Sequence, residues 1–141
     1  REDGMSDALL GKMHAAEARL AGNDGLQFNI AANYGGQDEI LRAVRTLAAR
    51  ARAGEVAPED IDETMLAGAL DTAGQPPVDL VIRTSGDLRL SNFLLWQAAY
   101  AEFWFTETNW PDFTPEEFVG ALVDFAQRKR RFGGLNPSDG K

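Results

Sequence analysis

Cysteine is absent from the chain, and with it go disulfides, thiol nucleophiles and cysteine-ligated zinc. A lone histidine, His14, argues against a histidine-based metal centre or a Ser-His-Asp triad. No apolar run approaches the ~20 residues that span a bilayer, and no signal peptide opens the sequence, so a soluble, cytoplasmic protein is expected. Basic residues are in deficit, 14 against 22 acidic ones, for a formal net charge of −8. A general nucleic-acid binder shows the opposite balance, and no nucleic-acid partner is expected. There is no P-loop and no Gly-x-Gly-x-x-Gly fingerprint for a nucleotide. What is present suits one globular domain: 141 residues, 44% hydrophobic and 26% charged. Such a chain can bury roughly two thirds of its unfolded surface.

Hydrophobic spacing divides the chain into alternating elements. Arg1 to Gly4 are polar, carry no initiator methionine and read as the middle of a longer chain. Met5, Leu9, Met13, Ala16 and Leu20 recur every three or four positions and predict a helix from Met5 to Leu20, stopped by the run Ala21 to Gly25. Leu26 to Asn33 reads as a strand ending at Tyr34-Gly35-Gly36. A second helix carries Ile40, Leu41, Val44, Leu47, Ala48 and Ala51 on one face and ends near Gly54. A shorter third begins at Pro58 and carries Ile61, Met65, Leu66 and Leu70. Val78 to Arg83 is a short apolar strand, a helix is expected from about Ser91 to Ala101, and Phe103 to Thr106 favours β structure. The last helix opens with the capping box Thr114-Pro115-Glu116-Glu117, buries a stripe of Phe118, Leu122, Phe125 and Ala126, and ends at Gly133-Gly134. This alternation predicts an α/β fold with a parallel sheet flanked by helices. About three strands make a thin sheet, so either the chain oligomerises through it or part of the fold lies elsewhere.

Ligands of open α/β sheets bind beyond the carboxyl ends of the strands. One such end, Arg83 to Asn92, sets two guanidinium groups, three hydroxyls and a glycine between a strand and the expected helix start. Unpaired N–H groups at that start, with Arg83 and Arg89, would make a phosphate or diphosphate receptor, Ser91 serving the helix or the ligand. The competing reading pairs Arg83 and Arg89 with Asp79 and Asp87 and leaves Ser91 a cap and Gly86 a turn. Spacing alone leaves both open. At the other strand end, Gly35 and Gly36 permit a close backbone approach, or simply a tight turn into the next helix. Phe93, Trp96, Tyr100, Phe103, Trp104, Phe105 and Trp110 are mostly core material, with a tunnel or dimer seam as the functional alternative. Arg128 to Arg131 reads as a solvated complement to the helix dipole, with an anion role open to one member. Glu102 reads as an exposed helix-end acid or a metal ligand, and His14 is assigned no function.

At these motifs the chain resembles the cis-prenyltransferases, the undecaprenyl diphosphate synthase family. The matching stretches are Phe28 to Gly36, Val78 to Gly86, Arg89 to Glu102, Trp110 to Phe113 and Arg130 to Gly134. They follow the family's order over nearly the whole chain, and the Arg89 to Glu102 block is highly specific. The resemblance implies the C-terminal portion, about three strands, of that α/β fold, with residues 1–141 forming one portion of a single domain. It implies a transferase that adds isopentenyl diphosphate to an allylic diphosphate, usually farnesyl diphosphate, each new double bond being cis, with Mg2+ assisting departure of the allylic diphosphate. By position, Arg83, Arg89 and Ser91 would hold isopentenyl diphosphate, and Glu102 would serve the metal or the substrate. Arg131 would reach the partner's site in a homodimer. A transient membrane contact would accompany product release.

The chain departs from the family pattern in small ways and in one large way. Asp87 stands where glutamate is frequent, Ser85 where glycine is, and Leu88 where histidine or glutamine is usual. The family's opening motif, His-x-x-x-Met-Asp-Gly-Asn-Gly-Arg-Trp, whose aspartate binds magnesium, has no counterpart here. The expectation is therefore a chain that carries the isopentenyl diphosphate half, contains no catalytic aspartate of its own and is inactive alone. The alternative is a non-catalytic diphosphate-binding or assembly subunit of the same fold.

Overall fold

The computed structural model describes residues 1–129. Four α-helices and two strands run in the order α1 (Asp7–Leu20), α2 (Gly36–Arg52), α3 (Glu63–Ala67), β1 (Leu80–Arg83), β2 (Glu102–Phe105) and α4 (Pro115–Gln127). Single 3-10 turns at Pro58–Asp60 and Trp110–Asp112 precede α3 and α4. The strands are parallel, with Leu80 opposite Glu102, Val81 opposite Phe103, Ile82 opposite Trp104 and Arg83 opposite Phe105. Helix α2 packs on α3, and α4 packs on β2. The core consists of Ala43, Leu47, Leu70, Val81, Ala98 and Ala121. The expected α/β class with a parallel sheet is what the chain forms.

Several expected elements take another form. Leu26 to Ala32 has no regular structure and joins no sheet among the described residues, Asn33 bends with φ of 48°, and Leu26, Phe28 and Ile30 are 89%, 74% and 73% exposed. Apolar alternation supplies the side chains of a strand, but a strand also needs a hydrogen-bonding neighbour alongside it. The described sheet thus has two strands, not three. The expected third helix breaks in two because the Asp62 side chain accepts from the Met65 amide at 2.8 Å and starts α3 afresh. The last helix ends at Gln127, with Arg128 extended; Gly133 and Gly134 lie outside the described residues.

The buried faces are also rotated from those expected. In α2 the buried positions are Gly36, Glu39, Ala43 and Leu47, while Leu41 and Val44 are about half exposed. In α4 only Ala121 is fully buried, and Phe118 and Leu122 remain 45% and 42% exposed. A two-stranded sheet is too narrow to cover the whole apolar stripe of a helix lying on it.

Candidate functional site

The carboxyl end of β1 is held in place by the residues that follow β2. The Ser85 amide donates to the Thr108 carbonyl and the Gly86 amide to the Thr106 carbonyl, each at 2.9 Å, and the Thr106 amide donates to the Arg83 carbonyl at 3.0 Å. The Thr106 and Thr108 hydroxyls in turn donate to one oxygen of Glu117 on α4, at 2.5 and 2.9 Å. Ser85 and Gly86 take φ of 70° and 71°, a left-handed pair that folds the chain back over the strand end. Arg83 and Arg89 then converge on Asp87: each guanidinium places one nitrogen 2.6 Å from a different Asp87 oxygen. The Arg83 hydrogen bond, reinforced by the Arg89 charge, holds the Asp87 carboxyl below the usual aspartate range. A cleft of about 290 Å³ opens here, lined by Val81, Ile82, Arg83, Thr84, Ser85 and Asp87, with Leu90 and Phe93 at its side.

The helix expected from Ser91 to Ala101 is a succession of turns. Ser91, Asn92 and Leu94 have φ of 49°, 65° and 47°, which no right-handed helix accommodates. The reason lies 55 residues away: the Asn92 side-chain oxygen accepts from the Gln37 amide at 2.8 Å, and its carbonyl accepts from the Gly36 amide at 2.7 Å. Asn92 thus caps α2 instead of starting a helix of its own. No helix starts at Ser91 to gather the N–H groups expected there, and the cationic part of the candidate site is the arginine pair.

Glu102 opens β2 instead of closing a helix, and its Oε2 accepts from Arg128 Nη1 at 3.0 Å. Arg128 also bonds the Phe103 carbonyl at 2.8 Å and pairs with Asp124, so this member of the basic run is half-buried and neutralised, not solvated. Arg131 lies outside the described residues. His14 is exposed beside Glu2 at 2.7 Å, which raises its pKa.

One buried polar residue was hidden among the charged positions of the sequence. Glu39 is 1% exposed. Its carboxylate accepts from the Tyr34 hydroxyl at 2.5 Å, the Asp71 amide at 2.8 Å and the Gln97 amide group at 3.1 Å to each oxygen. An acid at a helix start reads as solvated, and only its three-residue offset from the Tyr34-Gly35-Gly36 turn hinted otherwise. Among the described residues, no group of three or more His, Cys, Asp or Glu could hold a metal ion.

A family model described as putative undecaprenyl diphosphate synthase matches residues 1–133. The chain belongs to this family. It is 53% identical over 135 residues to an Escherichia coli ditrans,polycis-undecaprenyl-diphosphate synthase specific for (2E,6E)-farnesyl diphosphate, a match covering 96% of this chain and 53% of that protein. It is 48% identical over 136 residues to an isoprenyl transferase of Rhodopirellula baltica, covering 96% of this chain and 56% of that one. Among solved structures, lavandulyl diphosphate synthase from Lavandula x intermedia, in complex with dimethylallyl diphosphate, superposes with a TM-score of 0.90 at 37% identity. That match covers 94% of this chain and 57% of the other. A probable undecaprenyl diphosphate synthase from Campylobacter jejuni gives 0.79 at 36% identity, covering 95% of this chain and 60% of that one. The chain thus spans about half the length of the curated relatives it matches.

Proposed function

We propose that this prenyltransferase-family chain carries the isopentenyl diphosphate receptor of a cis-prenyl transfer reaction. The observation that carries the reading is the convergence of Arg83 and Arg89 on one small anion, Asp87, at the carboxyl end of a parallel strand. Two guanidinium groups that can share a carboxylate can also share a diphosphate, which presents more oxygens and more charge to their fork of donors. Ser91, exposed and left-handed, is proposed as a neighbouring hydroxyl donor, and Arg131 as a residue that reaches the second subunit's site in a homodimer. In the overall reaction an allylic C–O bond breaks, a C–C bond forms to isopentenyl diphosphate, and inorganic diphosphate and one proton leave. For the family's magnesium, the donor set is thin. Mg2+ takes about six oxygens, and Glu102 offers one carboxylate already bonded to Arg128. The described residues do not fit that ion by themselves, and Glu102 is proposed as a single contributing ligand.

Calorimetric titration of the 141-residue chain with isopentenyl diphosphate tests the receptor. Arg83→Ala and Arg89→Ala should each weaken binding by about tenfold or more, since one charge-assisted contact is worth about 1.5–3 kcal/mol. Wild-type affinity in both variants would sink the assignment. Incubated with farnesyl and isopentenyl diphosphates plus Mg2+, the chain alone should give no longer diphosphate. Adding a segment that bears the family's opening aspartate motif should restore elongation. Elongation by the chain alone would overturn the half-enzyme reading, and a failure of both to elongate would favour a non-catalytic diphosphate-binding subunit.

A further inference from the structure

The loop from Thr84 to Leu95, which carries Arg89 and Ser91, is tethered at two places. Its first end is tied through Ser85 and Gly86 to Thr108 and Thr106, just after β2. Its far end rests on the first turn of α2 through Asn92, whose side-chain oxygen takes the Gln37 amide and whose carbonyl takes the Gly36 amide. These two bonds satisfy N–H groups that a helix start leaves open. The fit is close. A Cβ built on Gly36 would stand 2.9 Å from Leu95 Cγ, 3.1 Å from the Asn92 carbonyl oxygen and 3.2 Å from the Leu95 amide nitrogen. A Cβ on Gly35 would stand 2.9 Å from Asn92 Nδ2. The close backbone approach that the Gly35-Gly36 pair permits is therefore made by another segment of the same chain. Asparagine is also the residue other than glycine that tolerates φ of 65° most readily. The adjoining residue, Ser91, is left-handed too, so the cap and the unusual backbone next to it are one construction.

We propose that Asn92 is a positioning residue for diphosphate binding: by capping α2 it fixes the left-handed path of Ser91 to Leu94 and so sets where Arg89 and Ser91 present their donors. This rests on the reading of the loop as the isopentenyl diphosphate receptor. Asn92 acts through the loop and Gly36 through Asn92, so neither needs to touch the ligand.

The test titrates the 141-residue chain with isopentenyl diphosphate in five forms: wild type, Asn92→Gly, Gly36→Ala, Arg89→Ala and Asp62→Ala. Asn92→Gly accepts the left-handed φ and removes the side-chain cap. Gly36→Ala drives the loop off from the helix side. Asp62→Ala removes the α3 cap, a destabilisation that touches neither the loop nor the start of α2 through any hydrogen bond of Asp62. Asn92→Gly and Gly36→Ala should each weaken binding by about tenfold or more, with Asp62→Ala binding as wild type. Hydrogen exchange at the Gln37 amide, slow in the wild type, should become fast in Asn92→Gly. That readout stands even if Gly36→Ala folds poorly. Wild-type affinity in Asn92→Gly alongside lost binding in Arg89→Ala would overturn the positioning role and leave the receptor standing. Equal weakening in Asp62→Ala, or a Gln37 amide already fast in the wild type, would also overturn it. Undiminished binding in Arg89→Ala, or no binding by the wild type, would overturn the receptor and the positioning role together.

Discussion

Glu39 shows how much a single side chain can organise. Its two oxygens accept hydrogen bonds from Tyr34, Asp71 and Gln97, which belong to the turn before α2, the chain after α3 and the turns after Asn92. Glu39→Ala would take this acceptor from the Tyr34 hydroxyl and the Asp71 amide and leave Gln97 with its bond to Thr72, each unpaired donor costing about 1–3 kcal/mol where buried, so a loss of about 2 kcal/mol or more is expected in denaturant unfolding. Tyr34 gives the pH signature of the same cluster. Burial, and then its hydrogen bond to Glu39, push the phenol above the ordinary tyrosine value of about 10. The native state therefore keeps a proton that the unfolded chain releases. The contribution is full below about pH 10 and is lost as pH rises towards the elevated native value. Thermal midpoints measured from pH 8 to 11 should fall at the alkaline end in the wild type and fall less in Tyr34→Phe. Parallel curves would exclude the shift.

At the scale of elements, α4 and α1 respond to different terms. The Thr114 hydroxyl accepts from the Glu117 amide at 3.2 Å, with Pro115 in the first position, as the capping box requires. The Glu117 carboxylate does not turn back to complete the box but takes the Thr106 and Thr108 hydroxyls beyond β2. Thr114→Ala should therefore cost about 1 kcal/mol, the usual worth of a cap. Glu117→Ala should cost more, because it also releases Thr106 and Thr108, whose carbonyls hold Gly86 and Ser85. Equal losses in chemical denaturation would show that the threonine contacts add nothing. In α1, Gly11 is helical and a Cβ there meets nothing within 4 Å, so Gly11→Ala should stabilise the helix by about 0.5–1 kcal/mol.

For the molecule as a whole, a narrow sheet leaves apolar surface uncovered. Leu26, Phe28 and Ile30 are exposed on a segment that joins no sheet among the described residues, Val119 and Val123 on α4 are 55% and 52% exposed, and Tyr100 is 66% exposed. Patches of this kind usually mark interfaces. Self-association, as the proposed homodimer requires, should appear in sedimentation velocity across a micromolar concentration series. A monomer at every concentration would count against it. No helix among the described residues is long and apolar enough to cross a membrane.

Local chemistry was legible in the chain itself. The α1 and α2 helices and the Thr114 cap depend on neighbours three or four residues away, so those elements form where the sequence places them, although the face that α2 buries is rotated from the one read. The α/β class followed from the order of those local signals. Contacts between distant segments decided the rest. Leu26 to Asn33 has the alternation of a strand but finds no neighbour to pair with among the described residues. The stretch after Ser91 has helix-forming residues, but Asn92 is claimed by the start of α2, and two strong hydrogen bonds there outweigh weak intrinsic propensity. Glu39 could be seen as buried only once Tyr34, Asp71 and Gln97 had been brought around it, because the cost of burying a carboxylate is met by donors that no stretch of sequence places next to it.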